Sequence, residues 1–326
     1  MKVPLNELKQ TTLAVLARSG YPPDEAQTIL DVLMYAQLRG NNQGVVKLIG
    51  AGMPRSKEAQ PIKTVKETKL SALLDGGRNS GMVAMKHAVQ LALTKTREHG
   101  FGIIGTHNTK SSTGAIGYYA NWIAQEGFIG FIFSGSAEYV AMHGSYQPLF
   151  GTNPLAIGLP TNGAPLVFDM ATSAIAWFGL VEAKTAGRAI PADVAYDAQG
   201  SATTDPAAAL GGAIRTFGGY KGAALSLIVE ILTHELVETK HNADGKKDDW
   251  GNLVFVIDPE LLTDSASFRE RVDALLQRAK ASKKLPGVDE ILIPGERGNR
   301  FLDEITRTGL VEIEEKLWTE LQKAAS

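Results

Sequence analysis

Between Leu70 and Asp169 short apolar runs alternate with segments of helical period, and that alternation restricts the possible folds more than any other feature of the chain. Residues 101–106, 128–133 (FIGFIF), 155–159 and 166–169 have the length and the branched or aromatic content of buried strands. Helical patterns over 82–98, closed by Gly100 as a C-terminal cap, and over 114–126 separate the first of these strands. Thr161-Asn162-Gly163 reads as a hairpin connection between the last two. Strand, helix and strand in succession predict an α/β layer architecture.

The flanks are more helical. Residues 5–18 and 24–38 carry one apolar face each, and Pro22-Pro23 divides them. The glycines and asparagines of 39–44 mark a loop, 45–49 form a short apolar stretch, and 53–68 are polar and irregular. Further on, helices are predicted over 174–186, 222–236, 267–279, 300–306 and 312–323, with a buried strand over 253–257. The last two helices are amphipathic and are expected to pack back on the N-terminal ones. A chain of 326 residues accommodates two lobes. The expected division is a helical domain, 1–70 plus 285–326, and an α/β domain, 71–284.

Composition narrows the chemistry. The absence of Cys excludes disulfides, thiolate metal sites and cysteine nucleophiles. With 33 basic against 35 acidic side chains, nothing in the bulk charge draws the chain to nucleic acid or an anionic membrane, so a small-molecule partner is expected. Neither a signal-peptide core nor a run of eighteen apolar residues occurs, which points to the cytoplasm. GxGxxG, GxxxxGK[ST], HExxH and GxSxG are all missing, and the six histidines include no pair spaced for a metal, so none is expected. The charged segment 241–249 (HNADGKKDD) reads as a solvated loop.

Two polar segments remain. Thr106 to Thr113 runs from a strand toward a helix without one apolar residue, which suits either an anion site or an ordinary hydroxyl cap. The stretch 143–154 combines glycines with Asn153-Pro154, and Asp169, after its strand, reads either as a helix-capping carboxylate or as a functional one. Trp177 and Phe178 read as core, with the lining of a ligand pocket as the alternative.

Gly151-Thr152-Asn153-Pro154, Phe168-Asp169-Met170-Ala171-Thr172-Ser173, Phe217-Gly218-Gly219-Tyr220-Lys221-Gly222 and Ile293-Pro294-Gly295-Glu296-Arg297 carry a resemblance. In order and spacing they resemble the malate/L-lactate dehydrogenase family, which includes ureidoglycolate, sulfolactate and diketogulonate reductases and the piperideine- and pyrroline-2-carboxylate reductases. The resemblance implies a three-layer mixed-sheet cofactor domain of non-Rossmann type. It also implies an NAD- or NADP-dependent oxidoreductase acting on a small carboxylate, and a homodimer with active sites near the subunit interface. Implied cofactor contacts are Thr152, Asn153, Pro154, Asp169, Met170, Ala171, Thr172, Gly219, Lys221, Glu296 and Arg297.

The chain departs from the family where the acid should be. Gln43 stands where the resemblance expects His, Lys47 where it expects an Arg for the substrate carboxylate, and Ser112 where it expects a second His. Reducing a ketone requires a proton on oxygen, and a positioned acid contributes about 10²–10⁴-fold. The substitutes open to this chain are His107, His143 or a water held by Ser111 and Ser112. An iminium substrate, which arrives protonated, needs less of an acid, and a non-catalytic metabolite-binding relative needs none. Lys47 retains a positive charge but loses the bidentate fork of Arg.

Overall fold

The computed structural model describes residues 1–240 and 248–326. Its centre is a seven-stranded mixed sheet built from β1 (Lys63–Glu67), β2 (Ser71–Asp75), β3 (Phe101–His107), β4 (Ile129–Ser134), β5 (Leu155–Leu159), β6 (Leu166–Met170) and β7 (Asn252–Ile257). The spatial order is β1-β2-β3-β7-β4-β5-β6, with β7 inserted in the middle late in the chain. Only β2 and β3 pair in parallel; every other neighbour is antiparallel.

Helices α1 (Leu5–Arg18), α2 (Pro23–Gln37), α3 (Gly81–His99) and α4 (Gly117–Gln125) precede the strand pair β5–β6. Ser80 accepts a hydrogen bond from the Met82 amide to start α3, and Gly100, at φ 77°, closes it. α3 and α4 cover one face of the sheet, where Ile104, Ile132 and Val254 sit side by side across the central strands. The glycines inside the apolar runs permit this contact: a Cβ on Gly158 would lie 2.0 Å from the Ala120 carbonyl oxygen of α4. On the other face the π-helical turn Ile231–Glu235, which continues α6 (Tyr220–Glu230), packs on β4 and β7, and Val237 packs over Gly105. α5 (Trp177–Thr185) comes between β6 and α6 in the chain.

The termini meet. Lys2–Pro4 pairs antiparallel with Leu310–Glu312, and α1 packs on α9 (Glu315–Ala325) after α7 (Ser265–Lys280) and α8 (Glu296–Thr308). Trp318 and Leu321 are buried in one core with Leu8, Leu16, Ile29, Leu33 and the sheet. A second core, around Val140, Phe150, Leu180, Ile190 and Ile214, lies beneath a four-stranded sheet of short strands. Among the described residues no helix is long and apolar enough to cross a membrane.

Three local expectations change. The polar stretch 53–68 contains a strand, β1, whose five residues are all exposed and so show no alternation of polarity. The expected helix 222–236 starts at Tyr220 and gives way to the π turn. Of the charged segment 241–249, residues 241–247 lie outside the described residues. Asp248 and Asp249 are not merely solvated: Asp248 pairs with Arg78 at 2.6 Å and with Lys110, while Asp249 accepts from the Thr109 amide at 3.0 Å.

Candidate active site

The loop after β3 is held from behind. The Asn252 side chain donates to Thr106 Oγ1 at 3.0 Å and accepts from Thr113 Oγ1 at 2.9 Å, and Ser134 Oγ donates to Thr113 Oγ1 at 3.0 Å. With Asp248 and Asp249 engaging Lys110 and Thr109, most polar groups of 106–113 have structural partners. Such partners let Asn108 (φ 53°) and Ser111 (φ 68°) hold left-handed backbone that costs non-glycine residues energy.

Ser112 faces a cavity of about 340 Å³. Its Oγ accepts from Lys47 Nζ at 3.0 Å and from the Gly114 amide at 3.0 Å. Lys47 lies in a short 3₁₀ turn, Val45–Leu48, only 2% exposed, with Nζ 3.6 Å from the centroid of the Phe178 ring. Among the described residues it forms no ion pair, and burial holds its ammonium well below the usual lysine range. Gln43 lines the same cavity, its amide donating to Asn42 Oδ1 at 3.2 Å.

A second cavity, about 440 Å³, adjoins the first. The two share Asn41, Asn42 and Asp169. Asp169 is open to both spaces yet surrounded by protein, and this enclosure pushes its carboxyl up to about 6 against the opposing pull of the Gly117 amide, which donates to Oδ2 at 2.9 Å. The capping reading therefore holds for a helix that sequence order would not suggest, α4. Arg297 lines the second cavity, and Thr152, Pro154, Met170 and Ala171 line the first.

The other expected residues stand apart. Asn153, at φ 40°, turns away from the cavity and donates to Ser226 O at 3.0 Å and Glu230 Oε2 at 2.7 Å. Thr172 is buried, with Oγ1 donating to Thr152 O at 3.1 Å. His107 lies outside the cavity, with Nδ1 3.2 Å from Glu238 O, and exposed His143 neighbours Gly219. Lys221 is exposed on the first turn of α6. Glu296 pairs with Lys280 and accepts from the Ile293 amide at 3.0 Å.

Sequence reasoning misplaced or missed several wall residues. Trp177 and Phe178, read first as core and second as pocket lining, line the first cavity. Tyr139 and Trp250 line it too, Tyr139 with its ring centroid 5.2 Å from that of Trp177. The available signal was an aromatic residue inside a polar or glycine-rich stretch, where no periodic face accounts for it.

Residues 3–322 match the profile of the family described as malate/L-lactate dehydrogenase. An L-sulfolactate dehydrogenase of Methanothermobacter thermautotrophicus is 33% identical over 97% of this chain and 94% of its own. A Delta(1)-pyrroline-2-carboxylate reductase 1 of Burkholderia ambifaria is 32% identical over 79% of each chain. The solved malate dehydrogenase of Pyrococcus horikoshii is similar in fold, with a TM-score of 0.87 at 28% identity over 100% of this chain and 94% of that one.

Proposed function

The chain belongs to the malate/L-lactate dehydrogenase family and is an oxidoreductase of small hydroxy or oxo acids, and from that premise we propose a reaction of the malate or lactate type at the Lys47 cavity, using NAD or NADP. The observation that carries this reading is the enclosed Lys47, which faces Ser112 in a cavity with aromatic walls and forms no ion pair among the described residues. A buried cation without an anion suits a substrate that brings its own carboxylate.

The residues present fit a nicotinamide dinucleotide. Asp169 offers an acceptor for a carboxamide where the two cavities meet, Arg297 offers a cation for a phosphate, and Trp177 and Phe178 offer flat apolar surface. When bound, such a cofactor supplies the hydride. The chain's own part is to seat the acid by Lys47 with the Gln43 amide nearby, and to form the wall from Thr152, Pro154, Met170 and Ala171. Asn153 and Thr172 support that wall from behind. Glu296 steadies the first turn of α8, which carries Arg297. In the proposed homodimer, with sites near the subunit interface, Gly219 and Lys221 contact the outer part of the cofactor. We place the protein in the cytoplasm, and keep 71–284 as the cofactor domain and 1–70 plus 285–326 as the helical one.

One observation favours a second reading, reduction of a cyclic imino acid: among the described residues no histidine lines the cavity, and an iminium needs no acid. A panel of 2-oxo acids and cyclic imino acids, assayed by oxidation of NADH and NADPH, separates the two. Cofactor binding without turnover anywhere on the panel would instead support a non-catalytic relative. Lys47→Ala is expected to raise the substrate KM at least about tenfold, as loss of a charged contact worth about 1.5–3 kcal/mol implies. An unchanged KM removes Lys47 from the site.

A further inference from the structure

We propose that Ser112 is the proton donor for reduction of a 2-oxo acid, with Lys47 behind it as the group that restores the proton. The inference rests on the oxidoreductase reading above and adds the acid that reading lacks.

A serine hydroxyl has two lone pairs and one proton. Both lone pairs of Ser112 Oγ are engaged, one by Lys47 Nζ and one by the Gly114 amide, each at 3.0 Å. The proton is the only bonding capacity left, on a side chain that lines the cavity. The Gly114 amide and the network through Thr113, Asn252 and Ser134 fix the loop, so the hydroxyl is held before substrate arrives.

The step balances. The carbonyl carbon gains the hydride pair from the reduced nicotinamide, the second C=O bond becomes a lone pair on oxygen, and that oxygen takes the Ser112 proton. A proton then passes from the Lys47 ammonium to Ser112 Oγ, and the resulting amine is reprotonated from water. An alkoxide is a far stronger base than any lysine, so the transfer runs downhill even with a carboxylate beside Lys47. Burial under Phe178 makes the ammonium readier still to give up its proton. An ammonium has three N–H groups, so Lys47 can hold Ser112 and the substrate carboxylate together.

Among the described residues the other titratable side chains on the cavity wall are Asp169, which accepts the Gly117 amide, and Tyr139, whose hydroxyl burial makes a weaker acid. Both are rival outcomes of the test. Ser112→Ala, Ser112→Thr and the wild type are compared for kcat on the best 2-oxo acid of the panel, and for binding of oxamate, a non-reducible analogue, by calorimetry. The expected result is a loss of about 10²–10⁴-fold in kcat for Ser112→Ala. Oxamate affinity should change less than about threefold, and the hydroxyl of Ser112→Thr should recover at least about tenfold of the lost rate. Full kcat in Ser112→Ala overturns the proposal in favour of Asp169, Tyr139 or water. Parallel loss of kcat and oxamate affinity, with no recovery in Ser112→Thr, marks Ser112 as structural and overturns it as well. A wild type silent across the panel removes the oxidoreductase reading itself, which distinguishes that failure from failure of the donor alone.

Discussion

Asp169 shows how one carboxylate can be tuned by its place between two cavities. Enclosure raises its pKa to about 6, so the neutral acid persists well above the usual carboxylate range, and the ionised acceptor is lost as pH falls through that value. If Asp169 receives the carboxamide, NAD(P)H affinity measured by fluorescence titration should fall as pH is lowered through about 6. Asp169→Asn should flatten that pH dependence; an equally steep fall in the variant would detach Asp169 from the cofactor. Lys47 illustrates what was legible at this scale. The sequence shows a cation where the family resemblance expects one, whereas its burial depends on Phe178, far along the chain, and no local pattern contains that contact. The histidines show the reverse: their chemistry invites a role, and only the folded path of the chain shows that His107 and His143 are not on the wall of the Lys47 cavity.

Among the elements, the five strands β3 to β7 of the central sheet were the most legible, since each is a short, bounded apolar run with branched or aromatic residues. The π turn after α6 was not, because 222–236 is apolar on most faces and an extra residue in the turn leaves no trace in periodicity. That turn carries His234, whose Nδ1 lies 3.2 Å from Glu230 Oε1, and Glu230 in turn holds Asn153 between the wall residues Thr152 and Pro154. Asn153→Ala removes two buried hydrogen bonds, one of them charged, at a left-handed position that Ala dislikes. The expected loss is about 2–4 kcal/mol in a urea titration. A loss below about 1 kcal/mol would mean that α6 and the wall are coupled only weakly.

At the scale of the whole molecule, α6 and the start of the π turn present Tyr220, Leu227, Ile228 and Ile231 at spacings of one stripe, Ile228 being 52% exposed. The proposed homodimer would cover this stripe. Ile228→Glu should shift sedimentation toward a monomer, and a wild type that already sediments as a monomer would remove the dimer from the proposal. The opposite end of the molecule has another character. β1, one of the two edge strands of the seven, pairs on one side only among the described residues, and that backbone edge could accept a strand from a neighbouring molecule. Lys63 and Lys66 stand exposed on that strand while Glu67 pairs with Lys95 at 2.8 Å, and a growing parallel, in-register stack of copies would have to set each of these lysines beside its own like charge. The strand that the sequence concealed by being so polar is thus the one that guards the protein against ordered aggregation when it is concentrated.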